Sequence, residues 1–137
     1  MQIDNKSFTH TDIYKKDESR VAAADLSASM SLDELKAYIS AVVKQRGFEN
    51  EKPQDIMLLM VEEVGELARI MARKYGDQSF KNTESDKDLA DEMADVLWVL
   101  ICLANQTGVD LTHAFIKNME KKTARDAERH KENEKLR

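Results

Sequence analysis

Two acidic pairs interrupt apolar helical faces. In "MLLMVEEVGELARI" (57–70) the apolar residues recur at helical spacing, and Ile56, Leu59, Met60, Leu67 and Ile70 share one stripe. At about 100° per residue, Glu63 falls in the middle of that stripe and Glu66 at its edge. In "DEMADVLWVL" (91–100), Leu89, Val96, Val99 and Leu103 form a second stripe, with Glu92 at its centre and Asp95 at its edge. A carboxylate on a face meant for burial is costly unless something compensates it. If the two faces pack together, four carboxylates converge, and their repulsion and desolvation raise pKa values and oppose folding. A divalent cation removes that conflict.

An all-carboxylate donor set is hard and suits Mg²⁺, with Mn²⁺ as a substitute, rather than zinc. No E-x-x-H occurs in the chain, which argues against a di-iron bundle. A lone E-x-x-E is usually a solvated helix face. Two such pairs, each centred on its own apolar stripe, point instead to a metal site formed by Glu63, Glu66, Glu92 and Asp95. Glu62 and Asp91 lie further off the stripes; Glu62 reads as a solvated residue, or one behind the ligands that could position a water, rather than as a ligand itself.

Magnesium held by carboxylates keeps several waters and accepts phosphate oxygens. An acidic site needs basic groups nearby before it can hold a triphosphate. "LTHAFIKNMEKKTARDAER" offers Lys117, Lys121, Lys122, Arg125 and Arg129, of which Lys117, Lys121 and Arg125 follow i, i+4, i+8 spacing. The alternative is a solvated basic stripe.

The elements that must position these groups are helices. The 137 residues fit one domain, 42% hydrophobic and 34% charged, with four Gly and one Pro. Few turns and plentiful Leu, Ala, Glu, Lys and Met predict an all-α bundle of four to five helices. Residues 1–29 are polar and read as a mobile extension, 30–130 as the helical domain and 131–137 as a charged tail. Ser31 and Glu34 form a capping box for a helix running to about Arg46, with Leu32, Leu35, Ile39, Val42 and Val43 on its apolar face and Gly47 at its end. Pro53 opens a second helix, which ends near Tyr75 and Gly76. "DQSFKNTESDK" reads as a loop. A third helix spans about 87–106, and Asp110 caps a fourth that fades into the tail.

A net charge of −5 without a dense basic tract excludes nonspecific nucleic-acid binding. The longest apolar run, 96–104, is too short to cross a bilayer. One cysteine, Cys102, and no secretory signal place the chain in the cytoplasm as an expectation.

"EEVGELA" followed by "DEMADVLWVL" resembles the E-E-x-x-E … E-x-x-D signature of the MazG-like nucleotide pyrophosphohydrolases. This is the all-α NTP pyrophosphatase superfamily, and the chain is most similar to its small single-domain members of the YpjD type. The likeness covers about residues 31–130 and includes "KKTARDAERH". It implies that Glu63, Glu66, Glu92 and Asp95 ligate Mg²⁺. It further implies that a nucleoside triphosphate and water become a monophosphate and pyrophosphate, with Glu63 or Glu62 taking the proton. Lys121, Arg125 and Arg129 match basic positions that contact phosphates in the family, and Thr123 stands where relatives often carry Asn.

The resemblance also implies a homodimer or homotetramer with sites between subunits. The nearly all-round apolar "VLWVLICLA" agrees with burial on several sides. Phe48 and Trp98 are candidates to stack on a base, Trp98 being the more core-like by its aliphatic setting. His113 reads as a surface residue near a helix start. Two other readings stand beside this one: a phosphoribosyl-ATP pyrophosphatase, and a non-catalytic helical assembly protein with a structural metal.

Overall fold

A computed structural model of the chain describes residues 26–79, 89–132 and 135. The expectations for residues 1–25, most of the 77–87 loop and the last residues of the tail lie outside this set. The described residues hold four helices: α1 (Leu32–Gln45), α2 (Pro53–Lys74), α3 (Leu89–Thr107) and α4 (Leu111–Glu132). Regular structure among them is entirely helical.

The helix ends follow local chemistry. Ser31 Oγ accepts the Glu34 N–H at 3.1 Å, which starts α1. At the other end Gly47 has φ +78, a value costly for any residue with a Cβ. The Gly47 N–H donates to Lys44 O and the Phe48 N–H to Val43 O, both at 3.0 Å, completing a Schellman turn. Pro53 occupies the first turn of α2. Gly108, with φ +70, repeats the device after α3, and the Val109 N–H reaches back to Ala104 O at 3.0 Å. Asp110 Oδ1 then accepts the His113 N–H at 3.0 Å as the cap of α4. The fourth helix runs regularly to Glu132, further than its fading apolar period implied.

The core lies between α1 and the C-terminal half of α3. Ala37, Tyr38, Ile39 and Val42 pack with Ile101, which has no exposed surface. Ala37 and Tyr38 widen the buried arc of α1 beyond the five apolar positions read from its period. Met30 and Leu111 pack at the margin of this core. Ser27 is also buried, in a turn where the Met30 N–H donates to Ser27 O at 3.2 Å.

The most extensive packing joins α2 to α3, and α1 packs on the same helix. So α3 is the central element, buried from two directions. In contrast, α4 leaves α3 at 105° and packs on α1 through its beginning, where Thr112 Oγ1 donates to Asp33 Oδ1 at 2.8 Å. No single helix among the described residues is long and apolar enough to cross a membrane.

Candidate metal centre

On α2, Glu63 sits between the buried Ile56 and Ile70, and the helix turns this side toward α3. On α3, Glu92 lies seven residues before Val99, two turns along the same face, and both are buried. Packing the two helices antiparallel therefore brings these carboxylates together. Ligand oxygens of Glu63, Glu92 and Asp95 all lie within 4.8 Å of one another. Glu92 is only 5% exposed, whereas Glu63 and Asp95 keep contact with solvent.

The arrangement is electrostatically unfavourable without a cation. Desolvation and the charges of Asp95, Glu66, Glu62 and Glu92 raise the Glu63 pKa above its ordinary value. Oxygens on opposite sides of a bound Mg²⁺ stand about 4.2 Å apart, so small side-chain rotations would let one ion touch all three carboxylates. The donor set is hard, anionic and partly open to solvent, and it fits such an ion.

The remaining predicted residues take different positions. Glu66 lies one turn from Glu63; its charge acts on the cluster, but its carboxylate stands outside the three-residue group and has interactions of its own. Glu62 is exposed beside the cluster. Lys121, Arg125 and Arg129 are exposed on α4, and Arg125 Nε donates to Asp126 Oδ1 at 3.2 Å. Thr123 is exposed on the same helix, and His113 is exposed near its start.

One turn from the cluster lies a cavity of about 240 Å³. Leu59, four residues before Glu63, and Val99, four after Asp95, form its floor together with Ile56. Trp98 lines it with one ring face covered by the Arg46 guanidinium, 5.6 Å from the ring centroid. Phe48, positioned by the Schellman turn, is 59% exposed on its rim. Glu51 and Cys102 complete the wall and also line an adjoining space of about 130 Å³. Burial, and secondarily the Glu51 charge, push the Cys102 thiol up to about 11.

Arg46 and Glu51 carry no sequence signal, because both lie outside the periodic faces. A larger hollow of about 420 Å³, among Lys36, Asn105, Val109 and Asp110, is over two turns along α3 from Asp95. Polar groups there bond to one another: Lys36 Nζ donates to Val109 O at 2.8 Å, and Asn105 Nδ2 to Lys36 O at 3.0 Å. The smaller cavity is the one adjoining the chemistry.

These features define an all-α protein with a carboxylate cluster between two antiparallel helices. Residues 51–130 match the MazG nucleotide pyrophosphohydrolase domain, and the chain belongs to that family. It is 43% identical over 77 residues to the uncharacterised protein YpjD of Bacillus subtilis, a match spanning 56% of this chain and 69% of YpjD. It is 29% identical over 111 residues to dCTP pyrophosphatase 1 of Rattus norvegicus, covering 77% of this chain and 65%, just under two thirds, of that enzyme. A crystal structure of Bacillus subtilis YpjD superposes with a TM-score of 0.61 and 29% identity, covering 69% of this chain and 95% of that one. The expected all-α, MazG-like fold agrees with these likenesses.

Proposed function

We propose that this protein is a Mg²⁺-dependent nucleoside triphosphate pyrophosphohydrolase, converting a (d)NTP and water to a (d)NMP and pyrophosphate in nucleotide-pool housekeeping. The convergence of Glu63, Glu92 and Asp95 from two helices carries this reading. Membership of the MazG family and the likeness to dCTP pyrophosphatase 1 support it.

Glu63, Glu92 and Asp95 would hold the cation, with Glu66 joining by a side-chain rotation. When bound, Mg²⁺ supplies charge neutralisation on the triphosphate and activation of water, and Mn²⁺ can replace it. We assign Glu63 and the neighbouring Glu62 as the groups that accept the proton as water attacks the α-phosphorus. The P–O bond to the pyrophosphate breaks, and the leaving group departs with its charge. Phe48, on the rim of the adjoining cavity, offers a ring to the base, while Trp98 serves as a wall already capped by Arg46.

Lys121, Arg125 and Arg129, which we assign to phosphate binding, lie on a helix that projects from the α1 side of the molecule. Their role calls for a second copy of the chain, as dimer or tetramer, to bring α4 to this site. Apolar stripes left open on one chain support such assembly: Met57, Val61 and Val64 on α2, and Met93, Leu97 and Leu100 on α3, are each at least 39% exposed.

Incubation of the purified protein with each common NTP and dNTP plus Mg²⁺, with products resolved by chromatography, tests the reading. Monophosphate and pyrophosphate are expected, lost in EDTA and in Glu63→Gln. Intact nucleotides across the whole panel would overturn it.

A further inference from the structure

We infer that Glu51 sets the base preference of this site, its carboxylate accepting a hydrogen bond from the exocyclic amino group of the nucleobase. Cytosine, adenine and guanine derivatives are thereby favoured over those of uracil and thymine. The inference rests on reading the site as a nucleotide pyrophosphohydrolase.

The cavity lies one helical turn from the acidic cluster, the step a nucleoside must make between its phosphates and its base. Its floor is aliphatic and gives no directional information. Base identity must be read by the few polar groups of the wall, and Glu51 and Arg46 are the charged ones. Arg46 is drawn over Trp98, 5.6 Å from the ring centroid. Glu51 is half-buried, and its charge is felt at the Cys102 thiol across the wall. Its backbone N–H is tied to Phe48 O at 3.2 Å, which fixes this residue relative to the exposed ring of Phe48.

An ionised carboxylate only accepts hydrogen bonds. An amino-bearing base offers an N–H₂ group to it. Uracil and thymine carry their one free ring N–H between two carbonyl oxygens, which would face the carboxylate and repel it. Discrimination thus arises from attraction to one class and repulsion of the other. Arg46 supplies the complementary donor for a ring nitrogen or carbonyl of the preferred base.

The test measures kcat/KM for dCTP, dATP, dGTP, dUTP and dTTP in the wild type, Glu51→Gln and Glu51→Ala, with circular dichroism as a check on folding. The amino-bearing class should lead by roughly tenfold or more, the scale of one good base contact. Glu51→Gln should narrow the gap by about the same factor, since its amide can also donate to a carbonyl. Equal turnover of both classes by the wild type, or an unchanged ratio in folded Glu51 variants, would overturn the inference.

The sole tryptophan, Trp98, lines the cavity and gives a readout independent of catalysis. Cytidine should change its fluorescence at lower concentration than uridine, and Glu51→Gln should remove the difference. Turnover of no nucleotide, with that cytidine preference intact, would sink the pyrophosphohydrolase reading and keep the role of Glu51. Turnover with no such preference would do the reverse.

Discussion

The carboxylates of Glu63 on α2 and Glu92 on α3 approach within 4.8 Å, although Glu92 is 95% buried. Two like charges that close, one of them removed from water, oppose the packing of the helices that carry them. In the metal-free protein Glu63→Gln should therefore stabilise the fold, by on the order of 0.5 kcal/mol, the scale of a like-charge pair on a helix surface. The same change should abolish the response to metal. For the wild type, saturating Mg²⁺ or Mn²⁺ at about a hundred times Kd should raise Tm on the order of 10 °C. Differential scanning fluorimetry of both proteins, with and without EDTA, checks both signs. A Tm indifferent to divalent cations would count against the metal site.

Burial of Cys102 predicts a slow thiol. With its pKa near 11 against 9.0 in an unfolded chain, native alkylation by iodoacetamide at pH 8 should run roughly a hundredfold slower than in denaturant. The linkage has a definite sign. The fold disfavours the thiolate, so this group leaves stability untouched below about pH 9 and erodes it as pH rises toward 11. Because the Glu51 charge contributes to the shift, Glu51→Gln should speed alkylation. An unchanged rate would mean that the carboxylate does not face the thiol.

Two apolar residues of α3 separate packing within one chain from packing between copies. Ile101 is fully buried, and Ile101→Ala should cost about 3–4 kcal/mol by denaturant unfolding. Leu97 is 45% exposed, so Leu97→Ala in an isolated chain should cost about 0.5 kcal/mol or less. If a second copy covers that stripe, sedimentation should instead record a weakened dimer. A concentration-independent monomer in the wild type would remove the case for assembly.

Mixing provides the test of shared sites. Glu63→Gln and the double variant Lys121→Ala/Arg125→Ala should each lose nearly all turnover alone. In a dimer whose α4 serves the partner's cluster, random exchange of subunits between them should restore about a quarter of wild-type activity. No recovery after verified exchange would mean that α4 serves the cluster of its own chain, so that each site is built within one subunit.

Much of this organisation was legible from residue order because it is local. Ser31, Pro53, Gly47 and Asp110 mark helix ends through caps formed within a few residues, and the structure uses each of them. The acidic pairs were visible because Glu63 and Glu92 contradict the faces they occupy. What escaped depends on three-dimensional placement. A helical period carries no information about a 105° turn at Gly108, so the direction of α4 was unreadable. Assigning one face of α2 by its central glutamate hid the second stripe through Met57, Val61 and Val64. Glu51 sits in a connection with no period, and only the packing of α1, α2 and α3 reveals that it faces a cavity.

The double burial of α3 has a consequence for how the molecule opens. Its C-terminal half is locked by Ile101 and Ala104, both at most 5% exposed, whereas in its first two turns only Glu92 is buried, a charged group that resists burial. Amide hydrogen exchange along this one helix should therefore be graded, slowest near Ile101 and fastest before Glu92. A bound cation would act on the fast end. Loading the site would then slow exchange chiefly there, converting a helix that frays from its first turn into one that opens only with the whole domain.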